Sequence, residues 1–338
     1  MKYDVVTIGD ASEDVFVRPV DMKITDSRSF TSGKVMSFEL GEKIPIEDVV
    51  YDVGGTAANV AVGLSRCGMK TAIITAIGQD SPAERILACL DKEGVDSGCI
   101  NIRQKNKTNF AVIINTPNGE RTILVYHGID YSNLNLKRSL NTSWIYLGPV
   151  GENCGEVIDQ ILTQVGERNA RFAWNPGSYQ VKAGASKFHR LLRNASVLFL
   201  NREEAIKFLD YPVHPKMEEV MKKLFQLGAR IVVVTDGKEG VRAYDGEVFY
   251  QVDIIRNVTR VDATGAGDSF ASGFMARFID GQAKGELDRD VICDALKYGI
   301  VNSTSVVAQI GAQKGLLSVS AIEKGIAEHP RLRVDIYN

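Results

Sequence analysis

Short apolar runs recur along the chain and are separated by segments of helix length. The runs are rich in β-branched residues and stop at glycine or polar positions, which is typical of strands buried in a parallel sheet. They lie at residues 3–9, 70–77, 144–147, 171–174, 197–200 and 231–235. The alternation of strands and helices predicts an α/β fold with a doubly wound, mostly parallel central sheet flanked by helices.

Two stretches do not follow this alternation. Residues 15–53 and 100–126 alternate loosely between apolar and polar positions and show no helical period. In the second stretch, Asn118-Gly119 separates two apolar runs, which predicts a β-hairpin. Because no repeat, low-complexity tract or long linker divides the chain, we expect a single domain, with the two stretches forming a small inserted β lid.

Several helices have clear signals at their ends. Residues 54–59 predict a helix start that continues through Leu64 and ends at Gly68. The sequence Ser-Pro-Ala-Glu at 81–84 predicts a capping box with proline in the first helical position, and this helix should run to Gly94. Residues 291–308 predict a helix rich in small side chains.

Composition narrows the functional class. The 338 residues are enough for a sizeable core, and the net charge of −2 gives no electrostatic reason to expect nucleic acid or an anionic membrane as a partner. No apolar run reaches the ~18 residues of a membrane span, and the N-terminus lacks a signal-peptide pattern. The five cysteines and four histidines show no metal-ligand spacing, so we expect a cytoplasmic protein with reduced thiols.

The most informative stretch chemically is 262–274, Asp-Ala-Thr-Gly-Ala-Gly-Asp-Ser-Phe-Ala-Ser-Gly-Phe. The small residues Gly265, Ala266 and Gly267 let a ligand approach backbone N–H groups at a helix start, where phosphate is favoured. Asp268 follows in the first turn, and a carboxylate beside a phosphate site is better suited to proton transfer than to binding. From the residues alone, the alternative is an ordinary glycine turn with a helix-capping aspartate.

This stretch resembles the C-terminal signature of the ribokinase family of carbohydrate and nucleoside kinases, the PfkB-type kinases, and other segments resemble further family motifs in the same order. The resemblance implies an ATP-dependent kinase that uses Mg²⁺, with Asp268 as general base. It implies that Gly265, Ala266 and Gly267 hold charge on the transferred phosphoryl group. Asp262 would support this anion hole, sometimes with a monovalent cation, and the sequence leaves potassium binding open.

The substrate contacts of the family match residues of the N-terminal half. Asp14, five residues after Gly9, matches an aspartate that holds sugar hydroxyls, and Gly54, Gly55 and Asn59 match residues that contact the sugar. From the residues alone, Asp14 is equally compatible with a surface loop. The two glycines and Asn59 are likewise compatible with an ordinary helix start at which the glycines allow close packing.

The nucleotide contacts of the family match residues of the C-terminal half. Asn201 and Glu204 resemble a motif that organises the water shell of magnesium and phosphate, and Thr235, Gly237 and Gly240 resemble contacts to ATP; Asn302 would lie near the adenine. The residues alone also fit simpler structures. These are a capping box at 201–204, a glycine turn at 237–240 and a closely packed helix around Asn302.

The resemblance implies phosphorylation of a hydroxymethyl group, on a free sugar in a ribokinase-type reaction or on a nucleoside such as adenosine. Residues 147–150, Leu-Gly-Pro-Val, lack the acidic residue expected in a ribokinase sugar pocket, which weakens the free-sugar interpretation. The extended lid could supply a slot for a base, and in the family such a lid often pairs two subunits of a homodimer. A non-catalytic sugar or nucleotide sensor is a third hypothesis, and the intact Asp268 argues against it.

Overall fold

The computed structural model describes residues 3–29, 33–116, 120–131, 134, 136, 141–211, 215–282 and 288–338. Its strands are β1 (Tyr3–Ile8), β2 (Ser12–Pro19), β3 (Lys23–Asp26), β4 (Lys34–Ser37), β5 (Ile46–Gly54), β6 (Thr71–Ile74), β7 (Ala76–Ile77), β8 (Asn101–Ile102), β9 (Asn109–Asn115), β10 (Arg121–Tyr126), β11 (Thr142–Leu147), β12 (Arg171–Trp174), β13 (Val197–Asn201), β14 (Val232–Thr235), β15 (Val241–Tyr244), β16 (Phe249–Val252) and β17 (Val334–Tyr337). Its α-helices are α1 (Thr56–Arg66), α2 (Ser81–Lys92), α3 (Gly155–Arg168), α4 (Ser178–Ala183), α5 (His189–Asn194), α6 (Arg202–Phe208), α7 (Met217–Gln226), α8 (Ala266–Gln282), α9 (Arg289–Val307) and α10 (Val319–Glu328).

The main sheet has the strand order β17-β16-β15-β14-β13-β12-β11-β1-β6. The strands from β14 to β6 are parallel, and β15, β16 and β17 extend the sheet with antiparallel pairing. Successive side chains of β1 enter different cores, because strand residues alternate between the two faces. Val6 belongs to the core that includes side chains of α3 and α7, whereas Val5 belongs to the core that includes side chains of α8 and α9. Helices therefore cover both faces, and the predicted doubly wound sheet is confirmed.

A second sheet has the order β10-β9-β2-β5 and is built from the two predicted lid stretches. Only residues 9–11 separate β1 from β2, so the chain passes directly from the main sheet into this second sheet. The second sheet begins at Ser12 rather than at 15, which puts Asp14 in a strand and not in a loop. The hairpin of β9 and β10 is present, and its predicted Asn118-Gly119 turn lies outside the described residues.

Two local predictions are corrected by the structure. The N-cap of α2 is Asp80, whose Oδ1 accepts the Ala83 N–H at 3.1 Å, and not Ser81. Asp80 takes this place because Thr108 also donates to its carboxylate through its N–H (2.9 Å) and its hydroxyl (2.6 Å), which fixes the side chain. The predicted strand at 70–77 is interrupted, because β7 leaves the main sheet and pairs with β8.

Across the described ranges, no helix combines the length and the apolar composition needed to cross a membrane. All five cysteines lie within these ranges, and none of them forms a disulfide bond.

Candidate active site

A cavity of about 850 Å³ opens at the carboxyl ends of the parallel strands. Its wall is formed by residues that follow β1, β11 and β12, by the ends of β13 and β14, and by the first turns of α1, α6 and α8. This edge is where ligands bind in open α/β sheets. Five of the predicted site residues line this one cavity: Asn201, Glu204, Thr235, Gly267 and Asp268.

The glycine turn before α8 uses its small residues in different ways. Gly265 has φ +73°, and a Cβ atom there would lie 2.5 Å from the Cβ of Ala312, so the turn itself requires glycine. A Cβ atom on Gly267 would meet no atom within 4 Å, so this backbone is open to a ligand. The N–H of Ala266 already donates to the Ala263 carbonyl at 3.3 Å. Gly267 is therefore the most accessible of the three predicted positions.

Asp262 fastens this turn to the segment that follows α9. The side chain is buried, and its Oδ1 accepts the N–H and the hydroxyl of Thr264 at 2.9 and 2.8 Å. Its Oδ2 accepts the N–H of Gly311 at 3.2 Å. Three protein donors thus hold the carboxylate in place.

Asp268 lies in the first turn of α8, and its carboxylate is held by two side chains of α1. Asn59 Nδ2 donates to Asp268 Oδ2 at 2.8 Å, and Thr56 also hydrogen-bonds the carboxylate. Burial raises the pKa of Asp268, and the two hydrogen bonds oppose this shift because they stabilise the charged form. Oδ1 of Asn59 accepts from Gln313 Nε2 at 3.0 Å. Both ends of the buried Asn59 amide therefore have protein partners, and the amide is directed at Asp268.

Two further aspartates lie close to Asp268. Asp10 lines the cavity directly after β1, and burial together with the neighbouring Asp268 raises its pKa to about 7. Asp14 is almost fully buried and is not among the lining residues; its Oδ1 accepts from Ser12 Oγ at 2.8 Å. Burial raises the pKa of Asp14 to about 6, and Asp52 and Asp268 contribute. Of the two aspartates in 10–14, the one exposed to the cavity is Asp10.

Gly54 and Gly55 bring the start of α1 against the connection between β1 and β2. A Cβ atom on Gly54 would overlap the Asp14 carboxylate, and one on Gly55 would lie 2.6 Å from Ala11 Cα. Gly55 also has φ +90°, a conformation that other residues rarely adopt. Neither glycine is among the cavity-lining residues, so in this structure both act by allowing close backbone packing.

The other side of the cavity is formed by the start of α6 and the end of β14. Asn201 and Glu204 form the expected capping box: Asn201 Oδ1 accepts the Glu204 N–H at 2.8 Å, and Glu204 Oε2 accepts the Asn201 N–H at 2.9 Å. Burial raises the pKa of Glu204, with Asn201 hydrogen bonds opposing the shift and Asp268 adding to it. Both residues also line the cavity, so the capping box does not preclude a ligand.

Gly237 and Gly240 follow β14 but are not among the lining residues. Gly237 has φ +52° and open space at its Cβ position, which leaves its backbone accessible to a ligand. Gly240 has φ +82°, and a Cβ atom there would overlap the Val252 carbonyl, so glycine is needed for the turn into β15.

The prediction that Asn302 lines a nucleotide pocket is wrong in this structure. Asn302 is fully buried in α9, and its Nδ2 donates to the Ser269 carbonyl at 2.7 Å and to Ser272 Oγ at 3.2 Å. Its Oδ1 accepts the Leu317 N–H at 2.9 Å. The amide joins α8, α9 and the segment before α10, and it is satisfied within the protein.

Several cavity residues are absent from the predicted set, namely Asp10, Thr56, Asn109, His127, Tyr131, Asn175 and Tyr179. Asn109 donates to the Tyr131 hydroxyl at 2.8 Å and accepts the N–H groups of Gly128 and Ile129, so it fixes the segment after β10 over the cavity. Asp10 and Asn175 directly follow buried strands, and this strand-end position is a signal that could have identified them.

The described residues contain no group of three histidine, cysteine or carboxylate side chains able to hold a metal ion. Asn201 and Glu204 nevertheless present oxygen atoms to the cavity, and oxygen is the ligand type that Mg²⁺ prefers. Because Mg²⁺ keeps several waters, one or two protein oxygens are sufficient. The site therefore fits a magnesium ion held largely through water and substrate.

The fold is shared with ribokinase of Arabidopsis thaliana, solved in complex with ribose and ATP: the TM-score is 0.78 with 20% sequence identity, over 96% of this chain and 99% of that one. The large, mostly parallel sheet with helices on both faces is therefore a ribokinase-like α/β fold. The pfkB family carbohydrate kinase model matches residues 29–316, and the chain belongs to this family.

Curated relatives agree with this assignment. An uncharacterized sugar kinase of Archaeoglobus fulgidus is 26% identical over 261 residues, which is 75% of this chain and 98% of the relative. A 5-dehydro-2-deoxygluconokinase of Geobacillus thermodenitrificans is 26% identical over 309 residues, 83% of this chain and 87% of the relative. The protein is accordingly a sugar kinase, a phosphotransferase with an alcohol group as acceptor.

Proposed function

We propose that the protein transfers the γ-phosphoryl group of ATP to a hydroxymethyl group of an uncharged sugar, with Asp268 as general base. The observation that carries this proposal is the position of Asp268 between two sides of one cavity. Asp10 and Thr56 lie on one side, and Asn201, Glu204 and Thr235 lie on the other. An acceptor on the first side and ATP on the second would meet at Asp268.

In this reaction Asp268 accepts the proton of the acceptor hydroxyl as its oxygen forms a bond to the γ-phosphorus. The bond between the γ-phosphorus and the bridging oxygen breaks, and ADP leaves. The N-terminus of α8 faces the reaction at Gly267, where the backbone is open and the positive end of the helix dipole favours the transferring phosphoryl group. Positioning and charge stabilisation account for most of the catalysis of such transfers.

Asn201 and Glu204 are the residues that would hold Mg²⁺ here, through water. When bound, the ion would supply positive charge that offsets the charge developing on the phosphate oxygens. The capping box keeps both side chains in one orientation at the start of α6, so their oxygen atoms are arranged before a ligand binds.

The acceptor is expected to be uncharged because the described cavity lining contains the carboxylates Asp10, Asp130 and Glu152 and neither lysine nor arginine. A phosphorylated sugar or a sugar acid would bring a further negative charge next to these groups, which disfavours its binding relative to a neutral sugar. Carboxylates are, in contrast, good acceptors for sugar hydroxyls. Asp130 and Glu152 are thus candidate contacts for sugar hydroxyls. Both lie outside residues 147–150, the stretch that lacks an acidic residue.

A nucleoside remains the second candidate, and the rings of Tyr131 and Tyr179 in the cavity favour it because a base can stack on an aromatic face. A panel of pentoses, hexoses, fructose 6-phosphate, gluconate and nucleosides with coupled ADP detection separates the two. We expect ADP release with free sugars. Turnover confined to nucleosides would select the second candidate, and turnover confined to the anionic sugars would contradict the uncharged acceptor.

The role of Asp268 is tested by Asp268→Asn, which keeps the shape of the side chain and removes the base. We expect turnover to fall by about two to four powers of ten, the usual contribution of a general base. Binding of ATP and sugar, measured by calorimetry, should stay near the wild-type values. Asp253→Asn, at an exposed carboxylate of a surface ion pair, is the matched control and should be fully active. Unchanged turnover of Asp268→Asn would refute the assignment.

We further propose a homodimer formed through the outer face of the second sheet. Val15 pairs with Tyr51 on one side and with Val112 on the other, and Val112 pairs with Leu124, so these side chains form one apolar row across the sheet. Tyr51 and Leu124 are 62% and 56% exposed. Leu124→Lys should give a monomer in sedimentation analysis where the wild type is a dimer. Leu40→Lys, at a fully exposed leucine outside this sheet, should leave the assembly unchanged. A monomeric wild type would contradict the proposal.

A further inference from the structure

Asp268 is the end point of a directed chain of hydrogen bonds. Cys89 Sγ donates to Gln313 Oε1 at 3.2 Å, Gln313 Nε2 donates to Asn59 Oδ1 at 3.0 Å, and Asn59 Nδ2 donates to Asp268 Oδ2 at 2.8 Å. Each amide accepts on one side and donates on the other. All donors in the chain therefore point toward the carboxylate.

Gln313 is the fixed member of this chain. Its side chain is buried, and its backbone carbonyl accepts from Arg66 Nη1 at 2.8 Å. Arg66 in turn binds the Leu316 carbonyl at 2.9 Å and forms a two-pronged pair with Glu93, both contacts at 2.8 Å. These bonds tie the backbone of residues 313–316 to α1 and to the end of α2. Gln313 therefore cannot readily follow a movement of Asn59.

The surroundings of Asp268 make its ionised form costly. The titratable groups that face it are Asp10 after β1, Asp14 in β2, Glu204 in α6 and the buried phenol of Tyr146 in β11. None of these groups is a cation. The donors that favour the charged carboxylate are Asn59 and Thr56, and a carboxylate in this position without donors would take up a proton.

An asparagine amide has two nearly isosteric orientations, and they differ in what they present to Asp268. In the observed orientation the NH₂ group faces the carboxylate, and after a half-turn the carbonyl oxygen would face it. Gln313 favours the observed orientation of the Asn59 amide, because the Gln313 NH₂ group donates to the Asn59 oxygen and so requires that oxygen to face Gln313.

We propose that Gln313 is a positioning residue which, through Asn59, keeps the Asp268 carboxylate in its charged, proton-accepting form. This inference rests on the proposed function, since it concerns the same base. Gln313 contacts neither the cavity nor the reacting atoms, so it acts through another side chain.

The test is Gln313→Glu, read out as turnover against pH. A carboxylate at 313 attracts the Asn59 NH₂ group, turns the amide and presents its oxygen to Asp268, which can then donate only when protonated. We expect the acid limb of the profile to move up by about one pH unit, with about tenfold lower turnover near pH 6 and recovery at high pH. The KM for the sugar should be nearly unchanged.

If the role of Gln313 is merely structural, Gln313→Glu should have lower stability and lower turnover at every pH, and the acid limb of its profile should not move. This outcome would overturn the inference. Gln309→Glu adds the same charge on the exposed neighbouring stretch and should leave the limb in place. If Gln313→Glu does not fold, Gln313→Met removes the NH₂ donor without adding a charge. The acid limb of this variant should shift in the same direction by a smaller amount. An unmoved acid limb in Gln313→Met also overturns the inference. An active Asp268→Asn would refute the proposed base itself, whereas an inactive Asp268→Asn with an unmoved limb refutes only the role of Gln313.

Discussion

At the scale of single residues, the two glycines at the start of α8 differ in what a side chain in their place would meet. Gly265 combines φ +73° with close contact to Ala312, whereas the Cβ position of Gly267 is open. The same Gly-x-Gly pattern therefore contains one glycine required by the fold and one available to a ligand.

Gly265→Ala should lower the free energy of unfolding by about 1–3 kcal/mol, because alanine must adopt a left-handed backbone and displace Ala312. Gly267→Ala is the matched variant. Its stability should stay within about 0.5 kcal/mol of wild type, while the KM for ATP should rise several-fold because the methyl group faces the ligand. Urea denaturation and initial-rate kinetics measure the two effects. A stability loss in Gly267→Ala equal to that in Gly265→Ala would contradict the distinction.

Residue type and spacing predicted several residues that line one cavity, but they did not predict the contacts of the individual side chains. Asn59 was expected at the sugar, yet its amide joins Gln313 to Asp268. Those partners lie 254 and 209 positions away, and no local pattern encodes such contacts. Asp10 and Asp14 both follow β1 in sequence, but the structure places Asp10 at the cavity and Asp14 in β2, where Gly54 packs against its carboxylate.

At the scale of elements, the second sheet is joined to the body by an ion pair. Glu13 in β2 is buried, and Arg85 in α2 binds both of its carboxylate oxygens, with Nη2 at 2.9 Å from Oε2. The guanidinium also lies over the Tyr51 ring, 5.7 Å from its centre. This pair fixes the strand that contains Asp14 to a helix of the main domain.

Arg85→Met should loosen this attachment, because Glu13 keeps its burial and loses its partner. We expect faster amide hydrogen exchange in β2 and β5 and a several-fold higher KM for the sugar. Arg18→Met, in the same strand but in an exposed pair with Glu47 at 3.7 Å, is the control and should change neither quantity. Equal exchange rates in the two variants would show that the Arg85 pair does not hold the sheet.

The elements themselves were largely predictable. The six parallel strands of the main sheet and α1, α8 and α9 follow from apolar period and glycine punctuation, which are local signals, whereas the antiparallel strands β15, β16 and β17 lie outside the predicted strand runs. The errors lie where a contact distant in sequence determines the local structure. Asp80 rather than Ser81 caps α2 because Thr108 binds the Asp80 carboxylate. The strand predicted at 70–77 is divided because β7 pairs with β8 instead of with the main sheet.

At the scale of the whole molecule, buried carboxylates make stability depend on pH. The raised pKa values of Asp10, about 7, and Asp14, about 6, mean that the folded protein binds more protons than the unfolded chain between pH 4 and 7. The stability that protonation contributes is fully present below about pH 4 and is lost as the pH rises through 6 and 7. Asp10, Asp14 and Asp268 interact, so they titrate as a group.

Asp10→Asn should therefore be more stable than wild type at pH 8 by about 1–3 kcal/mol, since each unit of raised pKa corresponds to about 1.4 kcal/mol. The advantage should shrink toward pH 4, where the folded side chain is protonated and the unfolded side chain, with its ordinary pKa of 3.8, is becoming protonated as well. Urea denaturation at pH 4, 6 and 8 measures this, and a gain that is independent of pH would contradict the explanation.

The bond between Asn59 and Gln313 joins two parts of the chain that are synthesised far apart in time. The acceptor side of the cavity is encoded early, at Asp10 and Thr56, and Asp268 follows much later in the chain. The donor that orients Asn59 comes from Gln313, near the end of the 338 residues. A product truncated before residue 313 can thus retain α1, which carries Asn59, and α8, which carries Asp268, and still lack the donor that orients the Asn59 amide.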